Sequence, residues 1–246
     1  MGLPVPDPWQ WHATFVERFY PYGSAYLSDT GFVGGEVRDA AAGVFRALEA
    51  DPPQEADHLA VLLSGYATVD ANGWGPARST LLWQHLLPWT LPYLDRMRTD
   101  APECYRRWAT LLFDTLSDVA ARVARPSGAA LTLTTSTGGL ADPRDAGEDA
   151  FVTSLLAPAR LGAIVTRDDL LQAAQALDLH ARIGERRYLL KGLITQDPPG
   201  LLRWLSRHCD HTGRRAGQWP AAVADIGLGW SRRAQASASL LAELSE

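Results

Sequence analysis

Residues 102–125 read PECYRRWATLLFDTLSDVAARVAR, and within them Tyr105, Trp108, Leu112, Leu116, Val119 and Val123 recur at steps of three and four. Only an α-helix brings such positions onto one face, because side chains that far apart stack along a 3.6-residue turn. The same spacing extends outward. Upstream it links Val37, Ala41, Val44, Phe45 and Leu48, then Leu59, Leu62, Leu63 and Tyr66. Downstream, residues 184–196, 199–212 and 219–244 carry Leu, Ile and Trp at helical spacing, with Pro or Gly between them. Start signals agree with this pattern: Asp7 before Pro8, Asp100 or Ala101 before Pro102, and Thr166 opening an Arg-Asp-Asp-Leu-Leu run. Only Ala130–Thr135 alternates like a strand, and it has no second strand to pair with. The Gly-, Ser-, Thr- and Pro-rich stretch Pro126–Asp149 reads as a long exposed connection. The expectation is an all-α chain: a single compact, bundle-like domain over residues 1–246 with roughly ten helices. It divides into a helical first half (8–125), a connection (126–149) and a helical second half (150–246).

Composition narrows the class further. A 46% hydrophobic content over 246 residues, with nine Trp, seven Tyr and six Phe, supplies a core and excludes disorder as the dominant state. No run of eighteen apolar residues exists, so no membrane-spanning helix is expected. The opening Met-Gly-Leu-Pro-Val-Pro-Asp lacks a basic region and an apolar region, so no secretory signal is expected. Two cysteines, Cys104 and Cys209, make no disulfide framework. The resulting expectation is a soluble cytoplasmic protein. Net charge is −5, but residues 1–100 hold twelve Asp/Glu against six Arg, whereas the rest of the chain is nearly balanced. An acidic half attracts cationic partners and offers no basic surface for nucleic acid.

Familiar catalytic patterns are absent: no phosphate-cradling Gly loop ending in Lys-Ser/Thr, no dinucleotide fingerprint, no His-Glu-x-x-His, no Cys-x-x-Cys and no Gly-x-Ser-x-Gly. His208 and His211 lie one helical turn apart without further ligands, which reads as a polar helix end. Asp168-Asp169 reads as helix capping. Lys191, the only lysine among 23 basic residues, has no evident chemical partner. No cofactor, no catalytic residue and no metal ligand is expected.

Three clusters in the acidic half stand out. Tyr20-Pro21-Tyr22-Gly23-Ser24-Ala25-Tyr26-Leu27 reads as a rigid aromatic loop, followed by Gly31 and Gly34-Gly35. Pro52-Pro53-Gln54-Glu55-Ala56-Asp57-His58 places an acidic pair and a histidine at the mouth of an amphipathic helix. Trp83-Gln84-His85-Leu86-Leu87-Pro88-Trp89-Thr90-Leu91-Pro92-Tyr93 reads as a helix broken by proline with aromatics around it. Each has an architectural reading too, with Asp57 as a helix-terminal charge, His58 as a first-turn side chain, and Trp83 and Trp89 as core filler.

Taken in this order, the clusters resemble the TorD/DmsD family of maturation chaperones for twin-arginine-exported molybdoenzymes, in particular its DmsD-like branch. Pro21-Tyr22-Gly23-Ser24-Ala25-Tyr26-Leu27 is similar to that family's Pro-aromatic-Gly/Ala-Ser-x-aromatic-Leu segment. Asp57, His58 and Leu63 match its Glu-Pro-x-Asp-His-x-x-x-x-Leu motif, and His85-Leu86-Leu87-Pro88-Trp89 matches its His-Leu-x-Pro-Trp motif in full. The likeness extends loosely over residues 10–124 and thins beyond 150. One departure is plain: Gln54-Glu55 stands where the family has Glu-Pro, which shifts the carboxylate by one position and the nearest proline, Pro53, by two.

The resemblance implies an all-helical, non-enzymatic chaperone without cofactor. Its partner would be the twin-arginine signal peptide, and the body, of a molybdoenzyme catalytic subunit, held while molybdenum cofactor is inserted before export. Two guanidinium groups and an apolar leader call for carboxylates beside an aromatic-walled groove. Glu55 and Asp57 would supply charge, His58 and His85 rim hydrogen bonds, Tyr22, Tyr26, Trp89 and Tyr93 the walls, with Ser24 in the same segment. The resemblance implies a monomer, and the 126–149 connection would permit a helix-exchanged dimer. The other readings are an assembly subunit retained in a mature complex and a helical hydrolase using Asp57, His58 and His85.

Overall fold

The computed structural model describes residues 4–126, 138–181 and 184–246. The chain is all-α. In order, its helices are α1 (Pro8–Trp11), a wide π-type turn (His12–Val16), α2 (Ser24–Leu27), α3 (Glu36–Ala47), α4 (Leu59–Ala71) and α5 (Gly75–Thr80). A second π-type stretch (Leu81–Leu86) runs into α6 (Leu87–Asp100), followed by α7 (Glu103–Ala120), α8 (Pro143–Ala146), α9 (Glu148–Leu155) and α10 (Pro158–Leu161). The last are α11 (Arg167–Ala176), α12 (Arg186–Gln196), α13 (Pro198–Ala216), a 3-10 turn (Ala221–Val223) and α14 (Ala224–Glu243). Among the described residues, isolated extended pairing is limited to one antiparallel bridge between Tyr22 and His58.

Local signals explain several boundaries. Asp7 accepts from Gln10 N at 2.7 Å while Gln10 Oε1 accepts from Asp7 N, closing a capping box over Pro8. Thr166 and Asp169 close the same box on α11. The start of α7 differs from expectation. Pro102 is itself the cap and α7 begins at Glu103, whereas Asp100 closes α6 and pairs with Arg96 at 2.6 Å. The aromatic segment also differs, because its end winds into the single turn α2. Nor does proline break the third cluster. The helix passes from π-type to α-type at Leu87, and Pro88 lies in the first turn of α6, where its missing N–H is least costly. Within the stretch read as an exposed connection, α8 and the start of α9 occupy 143–146 and 148–149, and residues 127–137 lie outside the described residues. The strand-like Ala130–Thr135 lies outside the described residues.

The chain gathers into two compact units. The first comprises described residues 4–28, 32–126 and 220–226. In it α6 packs along α7, and the π-type stretch before α6 packs on α4 and α5. Leu62, Leu86, Leu94 and Phe113 are at most 1% exposed there. Each such side chain contributes about 1.5–3 kcal/mol by leaving water. Arg125 tethers the returning 220–226 segment through Asp225 at 3.0 Å.

The second unit comprises residues 29–31, 138–181, 184–219 and 227–246. Its core draws Val152, Leu161, Leu170, Leu193, Leu205, Cys209 and Leu241 into one cluster. Burial pushes the Cys209 thiol up to about 12, so it packs as an apolar group. Gly162 ends α10 in the left-handed region (φ +79°), and a Cβ there would collide with the backbone of Arg233 and Ala234. Only glycine permits that approach of α10 to α14.

Candidate functional site

The three sequence clusters meet in the first unit, and the backbone joins two of them directly. Leu59 N donates to Pro21 O at 2.8 Å and Gly23 N to Asp57 O at 3.0 Å, on either side of the Tyr22–His58 bridge. Asp57 is 2% exposed and accepts from both Ser24 N (2.8 Å) and Ser24 Oγ (2.5 Å) through Oδ2. Its Oδ1 is buried with no donor among the described residues. Ser24 Oγ in turn accepts from Gly34 N at 2.8 Å, which ties the segment of residues 32–35 to the same carboxylate.

The third cluster enters through Trp89. A Cβ on Gly23 would stand 2.9 Å from the indole nitrogen of Trp89, so glycine is needed for this close approach. That indole N–H donates to His85 O at 2.7 Å. Tyr26 stacks on Trp89 (centroids 5.7 Å, planes 9° apart) and meets Tyr93 edge-on at 5.4 Å.

Burial sorts the expected site residues into two groups. Ser24, Tyr26, Asp57, Trp89 and Tyr93 are 0–3% exposed. Tyr26, Trp89 and Tyr93, expected as groove walls, face one another inside the unit and line no open surface in this conformation. They and the Ser24–Asp57 pair position the surface from behind. Glu55 is exposed, and Tyr22, His58 and His85 are half-buried.

The accessible groups have defined chemistry. His58 caps α4: its Nδ1 accepts from Ala60 N at 3.2 Å, which leaves the proton of the neutral ring on Nε2. The ring meets Tyr22 edge-on at 4.9 Å. His58 is therefore the cap itself, not a first-turn side chain, and Asp57 serves the Ser24 segment rather than the helix end. Partial burial raises the Tyr22 hydroxyl above its ordinary range, helped by its hydrogen bond to Glu55 and the negative charges of Glu55 and Asp57. Burial pushes the His85 imidazole down to about 4, so it is uncharged at neutral pH.

Sequence reasoning missed Phe32 and Val33. They are 67% and 53% exposed in the loop that Gly34 ties to Ser24. The usable signal was an apolar pair set among Gly31, Gly34 and Gly35. In the second unit, His208 stacks on Trp204 (5.4 Å) with Nε2 3.1 Å from Ile164 O. Among the described residues, no group of three or more His, Cys, Asp or Glu side chains is arranged to hold a metal ion. No helix among them is long and apolar enough to cross a membrane.

Fold and site together define the class: an all-helical protein whose first unit sets one exposed carboxylate, Glu55, beside half-buried Tyr22 and His58 over a buried aromatic cluster. Comparison with protein-family models, curated proteins and solved structures finds no match.

Proposed function

We propose that the chain is a peptide-binding chaperone of the TorD/DmsD type, which holds the twin-arginine leader of a molybdoenzyme catalytic subunit in the cytoplasm while its cofactor is inserted. The observation that carries this reading is the Asp57–Ser24 pairing. It fastens two motifs of the resemblance together beneath the exposed Glu55 and the half-buried Tyr22 and His58. Glu55 meets the guanidinium groups of the leader, with Tyr22 beside it as a hydrogen-bonded neighbour. His58 offers its Nε2–H to a main-chain carbonyl of the peptide, and neutral His85 adds no repulsion toward a dication. Exposed ion pairs contribute only about 0–1 kcal/mol each, so most of the affinity comes from apolar contact. Phe32 and Val33 are the exposed apolar groups tied to this site.

The test is a titration of the full chain with a synthetic twin-arginine leader peptide and with its Lys-Lys variant. The expected outcome is binding of the arginine peptide, weakening about tenfold or more in a Phe32→Ser, Val33→Ser double variant that loses two apolar contacts. Glu55→Gln narrows the gap between the arginine and lysine peptides. Failure of both peptides to bind overturns the reading.

A further inference from the structure

A second charged feature lies in the second unit, built around residues 138 and 139. Arg160 Nε donates to Gly139 O at 3.0 Å, and Arg233 Nη1 donates to Gly138 O at 2.5 Å. The two guanidinium groups therefore flank one Gly-Gly dipeptide: a Cβ on Gly138 would stand 3.9 Å from Arg160 Nη2, and one on Gly139 3.9 Å from Arg233 Nη1. Their juxtaposition is set by backbone packing, because Gly162 brings the end of α10 against α14 at Arg233 and Ala234. Arg160 and Arg233 thus project from elements pressed together one or two residues away.

Two like charges held this close repel. Burial opposes the charge of Arg233 most, the neighbouring Arg160 adds to that, and Asp29 partly offsets both. The formal charges of Arg160, Arg233 and Asp29 sum to +1. Arg160 spends only Nε on the dipeptide. Its Nη1 and Nη2, the edge that forms a planar fork, have no acceptor among the described residues, and the side chain is half-exposed.

We propose that the Arg160–Arg233 pair is a receptor for a carboxylate contributed by an acidic side chain of a bound peptide or protein segment, with the Nη edge of Arg160 taking both oxygens. A monoanion neutralises the residual charge of the cluster, whereas a phosphate dianion overshoots it. The planar fork matches the carboxylate in shape as well as in sign. This ligand is opposite in charge to the one proposed at Glu55, so the assignment stands independently of the leader-binding reading.

The test follows the arginine side-chain Nε–H signals of the full chain by nitrogen-15 NMR at constant ionic strength. The probes are acetyl-Ala-Glu-Ala-amide, its isosteric Gln counterpart and hydrogen phosphate. The expected result is a saturable shift of the Arg160 and Arg233 signals with the Glu peptide and none with the Gln peptide. Arg160→Gln, read on the Arg233 signal, weakens that binding by about fivefold or more, and Arg160→Lys falls between, because it keeps charge and loses the fork. Asp29→Asn tightens it about two- to fivefold by removing the competing carboxylate. Equal response to the Glu and Gln peptides overturns the proposal, as does undiminished binding in Arg160→Gln or, should that variant not fold, in Arg160→Lys. Binding of hydrogen phosphate about tenfold more tightly than the Glu peptide overturns it in favour of a phosphate ligand.

Discussion

Tyr93 carries a hydroxyl that its surroundings do not use. The residue is 0% exposed, its Oη has no hydrogen-bond partner among the described residues, and burial raises its ionisation well above the ordinary tyrosine range. Thr90, one turn earlier on α6, has a buried Oγ1 in the same condition. A buried polar atom left unpaired costs about 1–3 kcal/mol. Tyr93→Phe is therefore expected to leave stability unchanged or raise it by about 1 kcal/mol, measured as the urea midpoint at constant slope, although truncation of a buried ring ordinarily destabilises. A loss above about 1 kcal/mol would mean that the hydroxyl is paired in solution. His85 makes the complementary case for charge. The native ring takes a proton only near pH 4, while in the unfolded chain it does so near 6.5, so the unfolded state binds more protons between those values. Stability contributed by the neutral ring is full above about pH 6.5 and is lost as pH falls toward 4, by about 3 kcal/mol in all. Comparing urea midpoints at pH 7 and 5 for the wild type and His85→Gln isolates this component. An identical pH slope in the two proteins refutes it.

At the scale of the element, His58 caps a helix with one ring nitrogen, and the proposed function gives its other nitrogen a part in recognition. Nδ1 caps α4 and Nε2 is the atom proposed to meet the peptide, so a single alanine substitution confounds the two roles. Asparagine separates them, since its side-chain oxygen is a strong cap acceptor but its amide does not reproduce the ring edge against Tyr22. His58→Ala is expected to cost about 0.5–2 kcal/mol of stability, and His58→Asn to restore it while leaving leader-peptide binding weakened. Thermal denaturation and peptide titration on the same samples read both; recovery of binding with stability would assign His58 to capping alone. Elements were legible in the sequence wherever their signal was local. The stripe from Tyr105 to Leu116 and the Asp7 and Thr166 boxes depend on spacings of three or four residues. What could not be read depended on distant partners. Asp57 looks like a helix-terminal charge until Ser24, 33 residues away, is brought under it. Trp89 and Tyr93 look like groove wall until Tyr26 covers them. Aromatic residues near a motif are as suited to burial as to binding, and composition does not distinguish the two.

For the molecule as a whole, the uneven charge of the chain bears on how a cationic leader would be held. The first hundred residues carry twelve acidic and six basic side chains, and the remainder is close to neutral. Such a field speeds the approach of a dication and reaches about 8–10 Å at physiological ionic strength. Under the proposed function, exposed pairs such as one to Glu55 would hold little of the affinity of a bound leader, while apolar burial beside Phe32 and Val33 would be indifferent to screening. Raising salt from about 0.05 to about 0.5 M is thus expected to slow association of the arginine leader by about tenfold, with the dissociation rate changing less than about threefold. Stopped-flow binding with a fluorescent leader peptide measures the two rates separately. A dissociation rate that climbs as steeply as association falls would mean that ion pairs, not the apolar contact, hold the peptide. The loop bearing Phe32 and Val33 would then lose its place in the mechanism. Kept in place, it explains why the buried network of Asp57, Ser24 and Gly34 reaches beyond the two motifs it joins, since the same hydrogen bonds that fasten the motifs fix the apolar loop beside them.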